Sequence, residues 1–322
     1  RRVVGKVIVD KKTVPLGLVR SCKDVISGDD PCTLPKSCKH EVEIKGSKLA
    51  HIKDAIALCE ALAWVEKEAP SGNLTEYDIS EKLTAFRREQ ENYVSDSFAA
   101  IVGYQDNGAI IHYRAPESGS KMIEGHGLLL IDSGGHYLGG TTDVTRTINI
   151  GTPTLEQKLR YTQVLKGHIN LAQQKFVHGT SGGNLDVLAR MYLWQDGVDY
   201  AHGTGHGVGN MLSVHEGPQS ISRYSNIALQ KNMIVSNEPG FYKSGSYGIR
   251  IENLQYVTES DSGFLKFETL TLVPYCKDLI DRSLLSQEEL QYLKEYYALI
   301  EQYVCPSLSP RAKAWVQKNS LN

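Results

Sequence analysis

The sequence predicts an α+β fold in which two successive halves, each a pair of helices followed by strands, pack their helices outside a curved sheet. Three observations lead there. Apolar residues recur every three or four positions in two separate pairs of segments. Residue pairs of the capping-box type stand at the heads of several of these segments. The stretches that follow each pair are short, β-rich and punctuated by glycine. The same order of elements thus appears twice, although no sequence identity between the halves is visible.

Residues 1–45 read differently from the rest. Short apolar pieces such as Val3 to Val9 are followed by Gly28-Asp29-Asp30-Pro31-Cys32 and Leu34-Pro35, with no long period, as expected of the tail of a preceding domain or a linker. Residues 46–322 read as the main domain. From Ser47 to about Glu68, Leu49, Ile52, Ile56, Cys59 and Ala63 mark an amphipathic helix, which Pro70 and Gly72 end. Thr75 with Asp78 opens a second helix running through Ile79, Leu83 and Phe86 to about Tyr93. β-rich pieces extend to Gly151. Thr154 with Gln157 then caps a helix carrying Leu155, Leu159, Leu165, Ile169, Ala172 and Phe176, and a shorter helix spans Leu185 to Trp194. After further strands and glycines, Ser286 with Glu289 opens a C-terminal helix through Leu290, Leu293, Tyr297 and Ile300.

Composition sets few limits. In 322 residues, 41% hydrophobic and 22% charged content is ordinary for a globular chain, and a formal charge of −2 gives no reason to expect nucleic acid or an anionic membrane as partner. No stretch approaches the roughly 20 apolar residues of a membrane span, and the Arg1-Arg2 start lacks a signal-type apolar run. The six cysteines include no C-x-x-C pair and read as free thiols of a cytoplasmic protein; Cys32 and Cys38 would pair only under oxidation. Asn73-Leu74-Thr75 matches a glycosylation sequon and reads as a chance match before a helix cap.

Five residues sit in settings that let one pocket hold two metal ions: Asp132, Asp143, His206, Glu238 and Glu252. Four carboxylates and an imidazole make a hard, oxygen-rich donor set, which suits manganese or a comparable divalent ion better than a thiolate zinc site. Leu128 to Asp132 is a buried strand ending in a carboxylate, and Thr142 to Ile148 returns after Ser133-Gly134-Gly135 and Gly139-Gly140, so a hairpin brings Asp132 and Asp143 side by side. Two turn aspartates bonded to backbone amides are the plain alternative. In Gly248-Ile249-Arg250-Ile251-Glu252-Asn253, alternation places Ile249 and Ile251 on one face and Arg250 and Glu252 on the other, facing a cleft or solvent. Glu238 precedes the rigid Pro239-Gly240 turn, as a ligand or as an exposed loop carboxylate.

The sharpest local signal is His202-Gly203-Thr204-Gly205-His206-Gly207-Val208-Gly209. Two imidazoles among four glycines let the backbone approach a ligand closely, and neither a P-loop nor a dinucleotide fingerprint with strand and helix flanks is present.

These segments closely resemble aminopeptidase P, the Xaa-Pro aminopeptidase family, in its eukaryotic cytosolic form. The resemblance rests on Asn107 to Tyr113, Asp132 to Thr147, Tyr200 to Gly209, Val214 to Pro218, Glu238 to Gly240 and Gly248 to Asn253, in the family's order and with similar spacings, and covers Ser47 to the C-terminus. It implies the pita-bread (creatinase/aminopeptidase) fold of two pseudo-symmetric αβ halves around a curved antiparallel sheet.

The resemblance also implies a metalloaminopeptidase that removes the first residue of a peptide with proline second. Asp132, Asp143, His206, Glu238 and Glu252 would bind two metals, usually manganese, with cobalt or zinc as alternatives, and Asp143 and Glu252 would bridge both. A hydroxide between the ions would attack the peptide carbonyl, with Glu238 taking up the proton. His112 and His215 would hydrogen-bond substrate and developing charge, and His202 and Val214 would line the proline subsite. Tyr242 and Arg250 would contact substrate or orient the site. Without the resemblance, each of these histidines reads as structural. Family members of this type carry two further N-terminal domains and are usually homodimers, so residues 1–45 would be the tail of the second.

Three other readings stand beside this one. Prolidase and methionine aminopeptidase share the fold and the five-ligand pattern, but prolidase is restricted to dipeptides and methionine aminopeptidase lacks the His-Gly-Thr-Gly-His context. A metal-free pita-bread binding module would require ligand losses, and none of the five has occurred.

Overall fold

The computed structural model describes residues 3–321; Arg1, Arg2 and Asn322 lie outside the described residues. The chain begins with a small βαβ unit. Strand β1 (Val3–Val9) pairs in parallel with β2 (Cys22–Ser27) across the short helix α1 (Leu16–Ser21), and a second short helix, α2 (Thr33–Ser37), follows.

Helix α3 (Glu41–Glu68) is the longest element. It starts six residues before the expected Ser47, because Glu43 Oε2 accepts the free backbone N–H of His40 at 2.8 Å. Its Gly46 lies so close to Gly139 that a Cβ there would sit 2.6 Å from the Gly139 carbonyl oxygen, which requires glycine in an otherwise good helix. Helix α4 (Glu76–Arg88) opens on the expected reciprocal pair, Asp78 N to Thr75 Oγ1 and Thr75 N to Asp78 Oδ2. It ends short of Tyr93: Asn92 adopts a φ of 65°, turning the chain into strand β3 (Tyr93–Asp96).

Strands β4 (Ile101–Tyr104), β5 (Gly127–Ser133) and β8 (Val144–Ile150) form the antiparallel sheet of the first half, in the order β4-β5-β8. Between β5 and β8, β6 (Gly135–Tyr137) pairs with β3 on one side and with β7 (Gly140–Thr141) on the other.

The second half repeats the plan. Helix α5 (Leu155–Ala172) begins with the Thr154–Gln157 box and ends before Phe176, which belongs to the short strand β9 (Lys175–Phe176). Helix α6 (Gly182–Trp194) starts three residues before Leu185, with Asn184 accepting the N–H of Ser181. Strand β10 (Gly205–His206) pairs with β11 (Ser220–Ile221). Strands β12 (Ile234–Asn237), β13 (Gly240–Lys243), β14 (Tyr247–Arg250), β15 (Asn253–Glu259) and β16 (Leu265–Thr269) supply the sheet β12-β15-β16-β9 and the hairpin β13-β14.

Helix α7 (Gln287–Tyr303) opens on Ser286–Glu289 as expected. A further helix, α8 (Pro310–Asn319), was not read from the sequence; its cap Ser309 is bound through N and Oγ to Glu60 of α3.

The halves are stitched where β8 meets the start of β15. Thr145 and Glu252 form a β-bridge, and Thr147 Oγ1 bonds both the N–H and the carbonyl of Arg250. Behind this seam Arg146, fully buried, donates to the carbonyls of Thr145, Glu252, Val273 and Pro274, to Asn253 Oδ1 and to Tyr296 OH. A buried guanidinium with every donor used is a rigid clamp, and removing it would strand several acceptors at once. No helix among the described residues is long and apolar enough to cross a membrane, and all six cysteines are free thiols.

Candidate metal centre

The five expected ligands arrive at one place from the seam between the halves. Asp132 lies in β5 opposite Thr145, Asp143 precedes β8, His206 ends β10, Glu238 joins β12 to β13 and Glu252 joins β14 to β15. Ligand atoms of Asp132, Asp143 and Glu252 lie within 4.8 Å of one another, as do those of His206, Glu238 and Glu252. The turn-aspartate and solvated-strand alternatives therefore fail: both faces of β14 are buried, and Arg250 and Glu252 point into protein.

Second contacts hold each carboxylate. Arg250 Nη2 lies 2.6 Å from Asp132 Oδ2, Thr145 Oγ1 donates to Glu252 Oε2 at 2.8 Å, and Ser236 Oγ donates to Glu238 Oε1 at 3.0 Å. His206 Nδ1 lies 3.0 Å from the Gly207 carbonyl, which can only accept, so the proton sits on Nδ1. Nε2 then faces Asp143 Oδ2 and Glu238 Oε1, each 3.4 Å away.

The remaining carboxylate oxygens show what the donor set suits. Asp132 Oδ1, Asp143 Oδ1 and Glu252 Oε1 are buried and have no partner among the described residues. Burial, then the neighbouring Asp132 and Glu238, hold the Asp143 carboxyl well above the usual carboxylate range. Glu252 is raised likewise by burial and by Asp143, Glu238 and Asp132, and Glu238 is raised chiefly by burial. Four clustered carboxylates against the single guanidinium of Arg250 are an unfavourable arrangement that divalent cations would relieve, so the donor set fits two such ions.

Asp132, Asp143, His206, Glu238 and Glu252 floor a cavity of about 620 Å³. Phe98, Ile101, Ile111 and Val214 give apolar wall, and His112, Arg114, His202 and His215 give polar lining. His215 stands closer to the ligands than the sequence suggested: its ring centroid is 4.0 Å from that of His206, and with His206 and Asp143 it forms a third group able to hold an ion. Burial and the His206 ring depress its pKa to about 4. His202 is depressed to about 4 by burial and by Arg250. Tyr242 does not line the cavity but links its wall, accepting from Arg250 Nη1 at 2.7 Å and lying 2.8 Å from His202 Nε2.

Several supporting residues escaped the sequence reading. Asp186 and Arg190, one turn apart on α6, anchor the glycine-rich run: Asp186 accepts from Thr204 Oγ1 at 2.6 Å, and Arg190 donates to the carbonyls of Tyr200 and His202. Their i, i+4 spacing is visible in sequence but looks like any surface ion pair. Thr145, Ser236, Phe98 and Arg114 carried no local signal.

Two αβ halves with a cluster of carboxylates fit for divalent cations at their seam are the arrangement of the pita-bread class of hydrolases. The metallopeptidase family M24 model matches residues 45–259, and the model for the C-terminal region of peptidase_M24 matches residues 263–321. This chain belongs to metallopeptidase family M24. It is 45% identical over 315 residues to Xaa-Pro aminopeptidase 1 of Dictyostelium discoideum, covering 94% of this chain and 50% of that protein. It is 44% identical over 301 residues to aminopeptidase P2 of Arabidopsis thaliana, covering 90% of this chain and 42% of that protein. Its structure is similar to X-prolyl aminopeptidase of Caenorhabditis elegans, described as a cytosolic enzyme with a di-nuclear active site, at a TM-score of 0.86 and 39% identity, covering 92% of this chain and 50% of that one. Similarity to the Xaa-Pro dipeptidase of Bacillus anthracis is lower, with a TM-score of 0.73 and 29% identity over 84% of this chain and 73% of that one. The chain spans about half the length of the curated relatives it matches.

Proposed function

We propose that the protein is a two-metal Xaa-Pro aminopeptidase that hydrolyses the bond between the first residue of a peptide and a following proline. The observation that carries this reading is the cluster of three unpartnered carboxylate oxygens beneath an apolar-walled cavity. Asp132, Asp143, His206, Glu238 and Glu252 would hold the ions. When bound, two divalent cations lower the pKa of water and stabilise charge developing on the scissile carbonyl. Manganese is the proposed native pair on the strength of the hard donor set.

Glu238, whose proton affinity burial raises, would act as its carboxylate to accept the proton of the attacking water and pass it to the proline nitrogen as the C–N bond breaks. His215 and His112 donate hydrogen bonds to the developing oxyanion and to substrate carbonyls. Arg250 fixes Asp132, and Tyr242 relays that order to His202. Val214 and His202 receive the proline ring, which has no amide N–H and asks for no acceptor in this wall. The substrate amino group lies toward Asp132.

We put the boundary of the catalytic domain near residue 45, a reading that the start of the family match supports. A homodimer and a cytoplasmic setting complete the proposal, the latter in keeping with the Caenorhabditis elegans enzyme.

The test is hydrolysis of Arg-Pro-Pro, Arg-Ala-Ala and Arg-Pro by metal-stripped protein supplied with manganese, cobalt or zinc. Metal-dependent release of arginine from the proline tripeptide and not from Arg-Ala-Ala is expected. Cleavage of the dipeptide alone would make it a prolidase instead.

A further inference from the structure

The residues just before the family domain do more than lead into it. The loop from Gly209 to Glu216 presents Val214 and His215 to the cavity, and little of it is in regular structure. It is tied to β10 by backbone bonds from Glu216 N to the Gly207 carbonyl at 2.8 Å and from Gly207 N to the Gln219 carbonyl at 3.0 Å. The Glu216 carboxylate folds back onto the glycine-rich strand, so closely that a Cβ at Gly209 would lie 2.8 Å from Glu216 Oε2.

Two lysines meet that carboxylate from outside the loop. Lys36 Nζ lies 2.9 Å from Oε2 and Lys39 Nζ lies 3.6 Å from Oε1. The Lys39 side chain is 2% exposed, whereas that of Lys36 is 49% exposed. A lysine is rarely buried without a partner, and here Lys39 also donates to the Lys36 carbonyl at 3.1 Å and lies in the field of the Glu43 carboxylate. The segment bearing both lysines is itself fixed: Lys39 N donates to the Asn232 carbonyl, and Cys38 forms a β-bridge with Met233. One turn into α3, Glu43 and Ser47 bond opposite ends of the Asn210 amide, each at 3.4 Å.

We propose that Lys39, acting through Glu216, is a positioning residue for His215, and that the segment from Lys36 to Ser47 forms a brace holding the His215 loop against the metal centre. The inference rests on the aminopeptidase reading for its kinetic consequences but not for its structural ones. Neither Lys39 nor Glu216 lines the cavity, so neither touches the reacting atoms. The ion pair sits one residue from a histidine whose ring must meet a charge that exists only in the transition state. A displacement of about 1 Å there costs up to about 10²-fold in rate.

Lys39→Met keeps the length and apolar stem of the side chain and removes the charge. The expected result with the tripeptide is a fall in kcat of about tenfold or more, a KM within about twofold of wild type, and undiminished metal content. Lys39→Arg should recover most of the loss. In a His215→Ala background, Lys39→Met should change the residual kcat little, because the group it positions is already gone. A further fall of the same size there, or loss of metal, would overturn the assignment. Amide exchange at Gly207 and Glu216 should quicken in Lys39→Met, whether or not any peptide is cleaved; unchanged exchange and unchanged kcat would overturn the brace. Should Lys39→Met fail to fold, Lys36→Met removes the exposed half of the same contact, and a smaller, parallel change in kcat and exchange is expected, its absence counting against the proposal. A wild-type chain that cleaves nothing would remove the aminopeptidase reading, while the exchange comparison would still decide the brace.

Discussion

Stripping and reloading metal should change thermal stability by an amount that depends on pH in a defined direction. The seam holds Asp132, Asp143, Glu238 and Glu252 against one guanidinium, with three carboxylate oxygens buried and unpartnered. An ion that binds only the folded chain adds about 2.7 kcal/mol at a free concentration 100 times its dissociation constant, so two ions add about 5 kcal/mol. With an unfolding entropy of about 2.1 cal/mol/K per residue, 322 residues lose about 0.7 kcal/mol per degree near Tm, and loading should raise Tm by about 8 °C. The pH dependence follows from the raised carboxyls. The metal-free folded chain keeps protons on Asp143, Glu252 and Glu238 at pH values where the unfolded chain has released them. That contribution to stability is complete below the unfolded value of roughly 4 and is lost as pH rises through the folded values. The stripped protein thus gains relative stability on acidification, while protons compete with metal at the same oxygens. Differential scanning fluorimetry of stripped and manganese-loaded protein should show the Tm difference largest near pH 7.5 and much reduced near pH 5.5. A difference that is absent, or that grows on acidification, would refute the account of the site.

Three further outcomes are expected. Glu252→Gln should lower metal occupancy and abolish turnover together, measured by elemental analysis and tripeptide assay; an unaffected rate would remove Glu252 from the site. His215→Ala should lower kcat by about 10²-fold or more at unchanged metal content, and loss of metal would instead make His215 a ligand, as its grouping with Asp143 and His206 permits. His168, buried beneath Asn237 and Tyr275, has its pKa pushed down to about 3 by burial, with Arg146 adding to it. Its contribution to stability is full above an unfolded value of about 6.5 and is lost toward pH 3 at up to about 1.4 kcal/mol per pH unit; His168→Gln should flatten that part of the acid denaturation curve.

The helices were legible wherever a capping pair and an apolar period coincided, as at Thr75–Asp78, Thr154–Gln157 and Ser286–Glu289. They were misjudged where tertiary contact or backbone geometry decided the end. Glu43 extends α3 backward by closing on His40, and α4 ends at Arg88, after which the left-handed Asn92 turns the chain into β3. Phe176 kept helical spacing past the end of α5 but pairs in β9, because a short apolar stretch satisfies either period. Helix α8 opens on a local cap, Ser309 Oγ accepting from Ala312 N with Pro310 in the first turn, and its short apolar period left it without a clear signal; Glu60, far away in sequence, anchors that cap.

The metal candidates were legible because each carboxylate stands beside a glycine turn or ends an apolar strand, and that setting is local. Their supports were not. Arg250 to Asp132, Thr145 to Glu252 and Lys39 to Glu216 join residues more than 100 positions apart, and no period or spacing encodes such a pair. His215 was visible as a histidine near glycine and proline, but its tilted ring contact with His206 follows only from how the loop folds back.

The central claim is that this one site binds two ions and needs both to cleave. The most direct measurement titrates metal-stripped protein with manganese while following bound metal and the rate of arginine release from Arg-Pro-Pro in the same samples. Binding that saturates at two ions per chain, with activity rising chiefly on the second, is the predicted result. Saturation at one ion with full activity, or cleavage by the stripped protein, would contradict it.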